Sequence, residues 1–163
     1  MAKTSYAIAL GSNRRSRHGS PGATVRAALD ALAVDAASRI RATPAMGPAG
    51  RSFANAAAIL TSPLDPPELL ERLKAMERDF GRRGGRKWGP RVLDLDIVMW
   101  SAGPWGGPGP IIPHPAFRER RFVLEPLAEI APGWRDPVSG ATVRHLLHRL
   151  AWPRPVDRVS TRT

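Results

Sequence analysis

The chain has 163 residues, no cysteine, and 25 Lys and Arg against 14 Asp and Glu, for a formal net charge of +11. That length suits one domain with its own core, and the lack of cysteine excludes disulfide scaffolds and thiolate metal sites. No apolar window approaches the roughly 20 residues of a membrane helix, and the positive balance favours polyanionic partners such as nucleic acid, an anionic surface or a phosphorylated small molecule.

The opening MAKTSYAIALGSN holds an apolar run too short for a signal peptide, so a soluble cytoplasmic protein is expected. Residues 6–10 (YAIAL) read as a buried strand stopped by the turn signal Gly11-Ser12-Asn13. Ser20-Pro21 then supplies a cap and a first-turn proline for a helix, with Val25, Ala28, Leu29 and Leu32 at helical spacing. A short strand is expected over 38–43 and a loop over 45–52. Residues 53–61 (FANAAAILT) fit strand or helix by periodicity, and the Ser62-Pro63 stop favours strand.

The second helix is the most strongly signalled element. Asp65 caps it, Pro66 opens it and Glu68 completes a capping box; Leu69, Leu70, Leu73, Met76 and Phe80 form its apolar stripe, and Gly81 ends it. A basic loop with Arg82, Arg83, Arg86, Lys87 and Arg91 leads into a strand over 92–99. A Gly/Pro loop follows over 101–115, with a short strand at 111–112; 122–127 is apolar, and 143–150 reads as a helix covering the sheet. The order β-α-β-β-α-β predicts an α+β fold of the ferredoxin-like type, an antiparallel sheet with helices on one face. One domain is expected over 1–163, with its core at about 5–132 and a C-terminal helix and tail at 133–163.

The strand in RKWGPRVLDLDIVMW carries two aspartates, a residue depleted in strands. Asp94 and Asp96, two apart, share a face at about 6.6 Å along the backbone, while Leu95 and Ile97 take the other. Two carboxylates on one face repel unless a cation lies between them, and oxygen-only ligands suit Mg²⁺. On its own so short a motif is more often an exposed face bridged to arginines. The adjacent basic, Gly-rich loop adds guanidinium groups for a polyphosphate, the combination that phosphoryl transfer requires.

These segments (RKWGPRVLDLDIV, with ALGSN, FANAA, GRR and IPHPAFRERRFVLEPLAEIAP) resemble the 6-hydroxymethyl-7,8-dihydropterin pyrophosphokinases of folate biosynthesis, in register over about 7–132. The resemblance implies transfer of pyrophosphate from ATP to the pterin hydroxymethyl group, with release of AMP. It implies two Mg²⁺ ions on Asp94 and Asp96, and Arg82 and Arg91 stabilising the transferring group. ATP would also meet Glu77, Trp88, Arg91, Ile97, His114 and Arg120. The pterin would lie between Phe53 and Phe122, read by Asn55, beside Asp94 and the Thr43-Pro44 segment with Met46. A monomer is expected, with no nucleic-acid or membrane partner. The loop departs from the family's usual pattern: Gly84 stands where an arginine is expected, and Lys87 where arginine is common.

Other readings are weaker. A ferredoxin-like RNA-binding module would need an aromatic platform on its third strand, where FANAAAILT has one aromatic and no basic residue. Another Mg-dependent phosphotransferase or a nuclease would use the same Asp pair. His145 and His148 have i,i+3 spacing, but no third metal ligand stands near them in sequence.

Overall fold

Apolar runs separated by capped helices draw the chain into one antiparallel sheet. The computed structural model describes residues 2–43, 52–81 and 92–151. Strands β1 (Thr4–Ser12), β2 (Ala36–Ala37), β3 (Arg41–Thr43), β4 (Phe53–Ser62) and β5 (Asp94–Trp100) alternate with helices α1 (Pro21–Leu32) and α2 (Pro66–Gly81). A 3₁₀ turn (Phe117–Glu119) and helices α3 (Arg121–Ile130) and α4 (Val143–Ala151) complete the order. The sheet runs β2-β4-β1-β5, with β3 also on β4 and every pairing antiparallel.

Local chemistry fixes the helix ends. Ser20 Oγ accepts from the Ala23 amide ahead of Pro21. At α2 the Glu68 amide donates to Asp65 Oδ1 at 2.9 Å and the Asp65 amide donates to Glu68 Oε1 at 3.1 Å, so the expected capping box forms. The expected strand over 38–43 is instead two short pieces, β2 and β3. Between them, Ser38 turns its amide to the Ala57 carbonyl and accepts the Ala57 amide on Oγ, so a hydroxyl replaces part of the ladder. The expected strand at 111–112 reduces to an isolated bridge between Trp105 and Ile112. The expected loops over 45–52 and 82–91 and the tail beyond residue 151 lie essentially outside the described residues.

The two helices within the β-α-β-β-α-β order share one face, as expected, and the C-terminal additions take the other. Helices α1 and α2 cover one face through Val25, Leu29, Leu69 and Leu73, packed on Tyr6, Ile8, Leu95 and Ile97. Helices α3 and α4 cover part of the other through Leu124, Leu127, Val143 and Leu146, packed on Ala7, Ala57, Val98 and Met99. The physical reason lies in β1, where Tyr6, Ala7 and Ile8 are consecutively buried; a strand apolar on both sides has to be covered on both. A β-bulge in β5 serves the same end. Met99 pairs with Ala7 and Ile97 with Ile8, so Val98 is an extra residue, and Val98 and Met99 both pack towards α3 and α4. Trp100 then returns to the first face, stacked on Tyr6 at 6.0 Å between ring centroids.

Candidate active site

The second face is covered only beside α3 and α4; beyond Val123 the sheet is open and forms the floor of a cleft of about 800 Å³. Strand register lays out that floor. Asn55, Gly11 and Asp94 stand in one row across β4, β1 and β5, and Ala57, Ala9 and Asp96 in the next. Opposed residues project to the same face, so the amide and both carboxylates are brought together over a floor of small residues. Gly11 has an ordinary strand conformation, but a Cβ on it would lie 3.1 Å from Asn55 Oδ1. Ser12 Oγ, at the end of β1, donates to the Val92 carbonyl at 2.6 Å and fixes the approach to Asp94.

The walls are aromatic and basic. Phe53 at the start of β4 and Phe122 at the start of α3 both line the cleft, and they are 45% and 51% exposed. Two large apolar rings left half in water at one opening provide faces for a flat ligand. Arg120 lies over the Phe122 ring, its Cζ 5.6 Å from the centroid, and also lines the cleft. The His114 amide donates to the Val98 carbonyl at 2.9 Å, and its Nδ1 accepts from the Ala116 amide, so the neutral ring carries its proton on Nε2.

A buried ion pair steadies this wall. Arg118, in the 3₁₀ turn, makes two bonds to the fully buried Asp136, Nε to Oδ2 at 2.5 Å and Nη2 to Oδ1 at 2.8 Å. The Arg118 hydrogen bond holds the Asp136 carboxyl far below the usual carboxylate range; burial opposes this, and bonds from the Ser139 hydroxyl and the Val138 amide assist. The turn that delivers Arg120 and Phe122 is thereby tied to the 131–142 segment.

Of the residues singled out from the sequence, the cleft gathers Phe53, Asn55, Asp94, Asp96, His114, Arg120 and Phe122. Glu77 is not among its lining: its Oε1 accepts the Leu95 amide at 2.9 Å, bracing the strand that bears the aspartates. The Ile97 side chain is buried on the opposite face, under α1 and α2, so only its main chain is available to a ligand. Thr43 pairs in β3 with Phe53. Pro44, Met46, Arg82, Trp88 and Arg91 lie outside the described residues. Among the described residues no three His, Cys, Asp or Glu side chains come together as a metal cluster. Two carboxylates on one open face still fit Mg²⁺, which takes one or two protein carboxylates and completes its shell with water and substrate phosphates.

A sequence profile of 7,8-dihydro-6-hydroxymethylpterin-pyrophosphokinase (HPPK) matches residues 7–132. The chain belongs to the HPPK family. It is 36% identical over 159 residues to the 2-amino-4-hydroxy-6-hydroxymethyldihydropteridine pyrophosphokinase of Methylorubrum extorquens, covering 93% of this chain and 96% of that protein. Identity to the protein of the same name from Pseudomonas aeruginosa is 38% over 151 residues, covering 88% of each. With the Synechocystis protein of that name it is 44% over 113 residues, and the match spans 67% of this chain and 58% of the relative. A solved structure of Plasmodium falciparum HPPK-DHPS superposes with a TM-score of 0.67 at 12% identity, over 91% of this chain and 43% of that one, a likeness of fold.

Within this HPPK-family chain, the cleft is also lined by Ala9, Leu10, Gly11, Ser12 and Asn13, the ALGSN motif to which the sequence reading gave no site role, and by Val123. The signal for the floor was in the sequence: Ala7, Ala9 and Gly11 keep one side of β1 small, which a buried strand does not require. No described helix of the HPPK chain is long and apolar enough to cross a membrane.

Proposed function

We propose that the chain transfers the pyrophosphoryl group of ATP to the hydroxymethyl oxygen of 6-hydroxymethyl-7,8-dihydropterin, giving AMP and the pterin diphosphate in folate biosynthesis. The observation that carries this reading is one cleft in which Phe53, Phe122 and Asn55 stand on the same floor as Asp94 and Asp96. A flat, donor- and acceptor-rich heterocycle stacks between the two rings, and the Asn55 amide, both donor and acceptor, reads its edge. Asp94 is in the Asn55 row, so a short substituent on a ring held there reaches the carboxylates.

Asp94 and Asp96 would hold two Mg²⁺ ions arriving with ATP, which would neutralise phosphate charge and polarise the attacking hydroxyl. Arg82 and Arg91 take the transferring group; Glu77, Trp88, His114, Arg120 and the main chain of Ile97 take the nucleotide. Thr43, Pro44 and Met46 complete the pterin side. The chemistry is then alignment of the hydroxyl oxygen with the β-phosphorus, plus neutralisation of charge. The strand order supports a ferredoxin-like arrangement, with β2 and β3 together as its second strand. The reading includes a cytoplasmic monomer.

Product analysis tests it. With ATP, Mg²⁺ and the pterin, AMP and the pterin diphosphate should appear in equal amounts; ADP in place of AMP would mean transfer of the γ-phosphate alone and overturn the reading. Asp94→Asn and Asp96→Asn should each lower turnover by about a thousandfold or more. Full activity in either variant would overturn the metal assignment.

A further inference from the structure

Three arginines and two glutamates meet where β3 and the residues leading into it approach α3. Glu129 is fully engaged by Arg39, its Oε2 accepting the Arg39 amide at 2.5 Å and its Oε1 the Arg39 Nε at 2.7 Å. Glu125 Oε1 accepts from Arg121 at 2.7 Å. Arg41 is the third cation. Its terminal nitrogens stand 3.8 Å from Glu129 Oε1 and 3.9 Å from Glu125 Oε2, beyond hydrogen-bond reach, and its Nε is buried with no hydrogen-bond partner among the described residues. A buried donor without an acceptor is unfavourable, so what holds Arg41 here is the charge attraction of the two glutamates.

Arg41 pairs across the strands with Asn55, and Thr43 with Phe53, so Arg41 projects from the strand pair that carries one wall of the cleft. Its two partners lie on the helix that carries the other wall: Glu125 is three residues after Phe122 and Glu129 seven, all on one side of α3. Arg41 therefore spans from the strands of Phe53 and Asn55 to the helix of Phe122.

We infer that Arg41 is a positioning residue that sets the gap between Phe53 and Phe122, and hence the fit of the flat ring bound there. This rests on the pyrophosphokinase reading for the identity of the ring. The mode of contact suits the task. A hydrogen bond is lost within a fraction of an ångström, whereas attraction between charges falls only as the inverse of distance. A clasp made of charge alone lets α3 adjust as the ring enters and still draws it back.

The test is steady-state kinetics of Arg41→Gln and Arg41→Lys, with calorimetric binding of 6-hydroxymethyl-7,8-dihydropterin in the presence of Mg²⁺ and α,β-methylene-ATP. Arg41→Gln should raise the pterin KM and Kd about tenfold while kcat and the ATP KM stay within about twofold, and Arg41→Lys should recover most of the loss. Glu125→Gln, which leaves the strands intact, should shift the pterin KM in the same direction and add little to Arg41→Gln in the double variant. Unchanged pterin binding in Arg41→Gln, or an additive double variant, overturns the inference while leaving the reaction intact. A wild-type chain that neither binds nor turns over the pterin overturns the reaction and this role together.

Discussion

Gly11 occupies a place where the backbone would accept any residue; what it contributes is the missing side chain. Its neighbours in the row are Asn55 and Asp94, and a methyl group there would press on the Asn55 amide oxygen at 3.1 Å. Alanine is the better strand residue by about 0.5–1 kcal/mol, because glycine loses more freedom on folding. Gly11→Ala should therefore melt no lower than the wild type yet raise the pterin KM about tenfold, with the ATP KM nearly unchanged. Thermal melts beside kinetics check both halves, and an unaltered pterin KM would refute the crowding argument. The other residue-scale dependence is electrostatic. Asp136 has its carboxyl held down by Arg118, so its contribution to stability is complete above the unfolded value near 3.9 and fades as pH falls below it. Asp136→Ala should cost about 3 kcal/mol at neutral pH, since it strands a partly buried guanidinium, and should flatten the stability profile below about pH 4. Urea midpoints from pH 7 to pH 2.5 measure both effects.

The elements differ in how openly the sequence announces them, and the differences have causes. Helix α2 is legible because its signals are local: Asp65, Pro66 and Glu68 at one end and a helical apolar stripe behind them. Strand β4 is legible through its stop. Helix α3 is not, because Pro126 sits inside it and cannot donate to the carbonyl of Phe122, which reads as a break; Val123, Leu124 and Leu127 nevertheless pack as one helical side. The split between β2 and β3 depends on the Ser38 hydroxyl meeting Ala57, a contact between residues 19 apart that no local rule anticipates. The site divides in the same way. Asp94 and Asp96 follow from the period of a strand, and Phe53, Asn55 and Phe122 became visible through family resemblance. Arg41 and Gly11 required register, because their importance lies in what stands opposite them.

At the scale of the molecule, the cleft exists because the sheet is covered fully on one face and only partly on the other. Helices α1 and α2 close the first face, while α3 and α4 leave the ends of β1, β4 and β5 open. The two apolar layers pack without either aspartate, so a metal bound at Asp94 and Asp96 is expected to add nothing to the stability of the fold. Chelation by EDTA should accordingly abolish turnover while leaving the melting temperature of the ligand-free chain unchanged, and restored Mg²⁺ should return activity in full. A melting point lowered by chelation would mean that an ion braces the sheet. The bulge at Val98 carries one more implication. Deleting that surplus residue would keep Ile97 opposite Ile8 and Met99 opposite Ala7, so both acids would retain their heading into the cleft. What would vanish is the carbonyl that fastens His114 to the strand's outer margin, so one codon could uncouple the acidic pair from the histidine beside it.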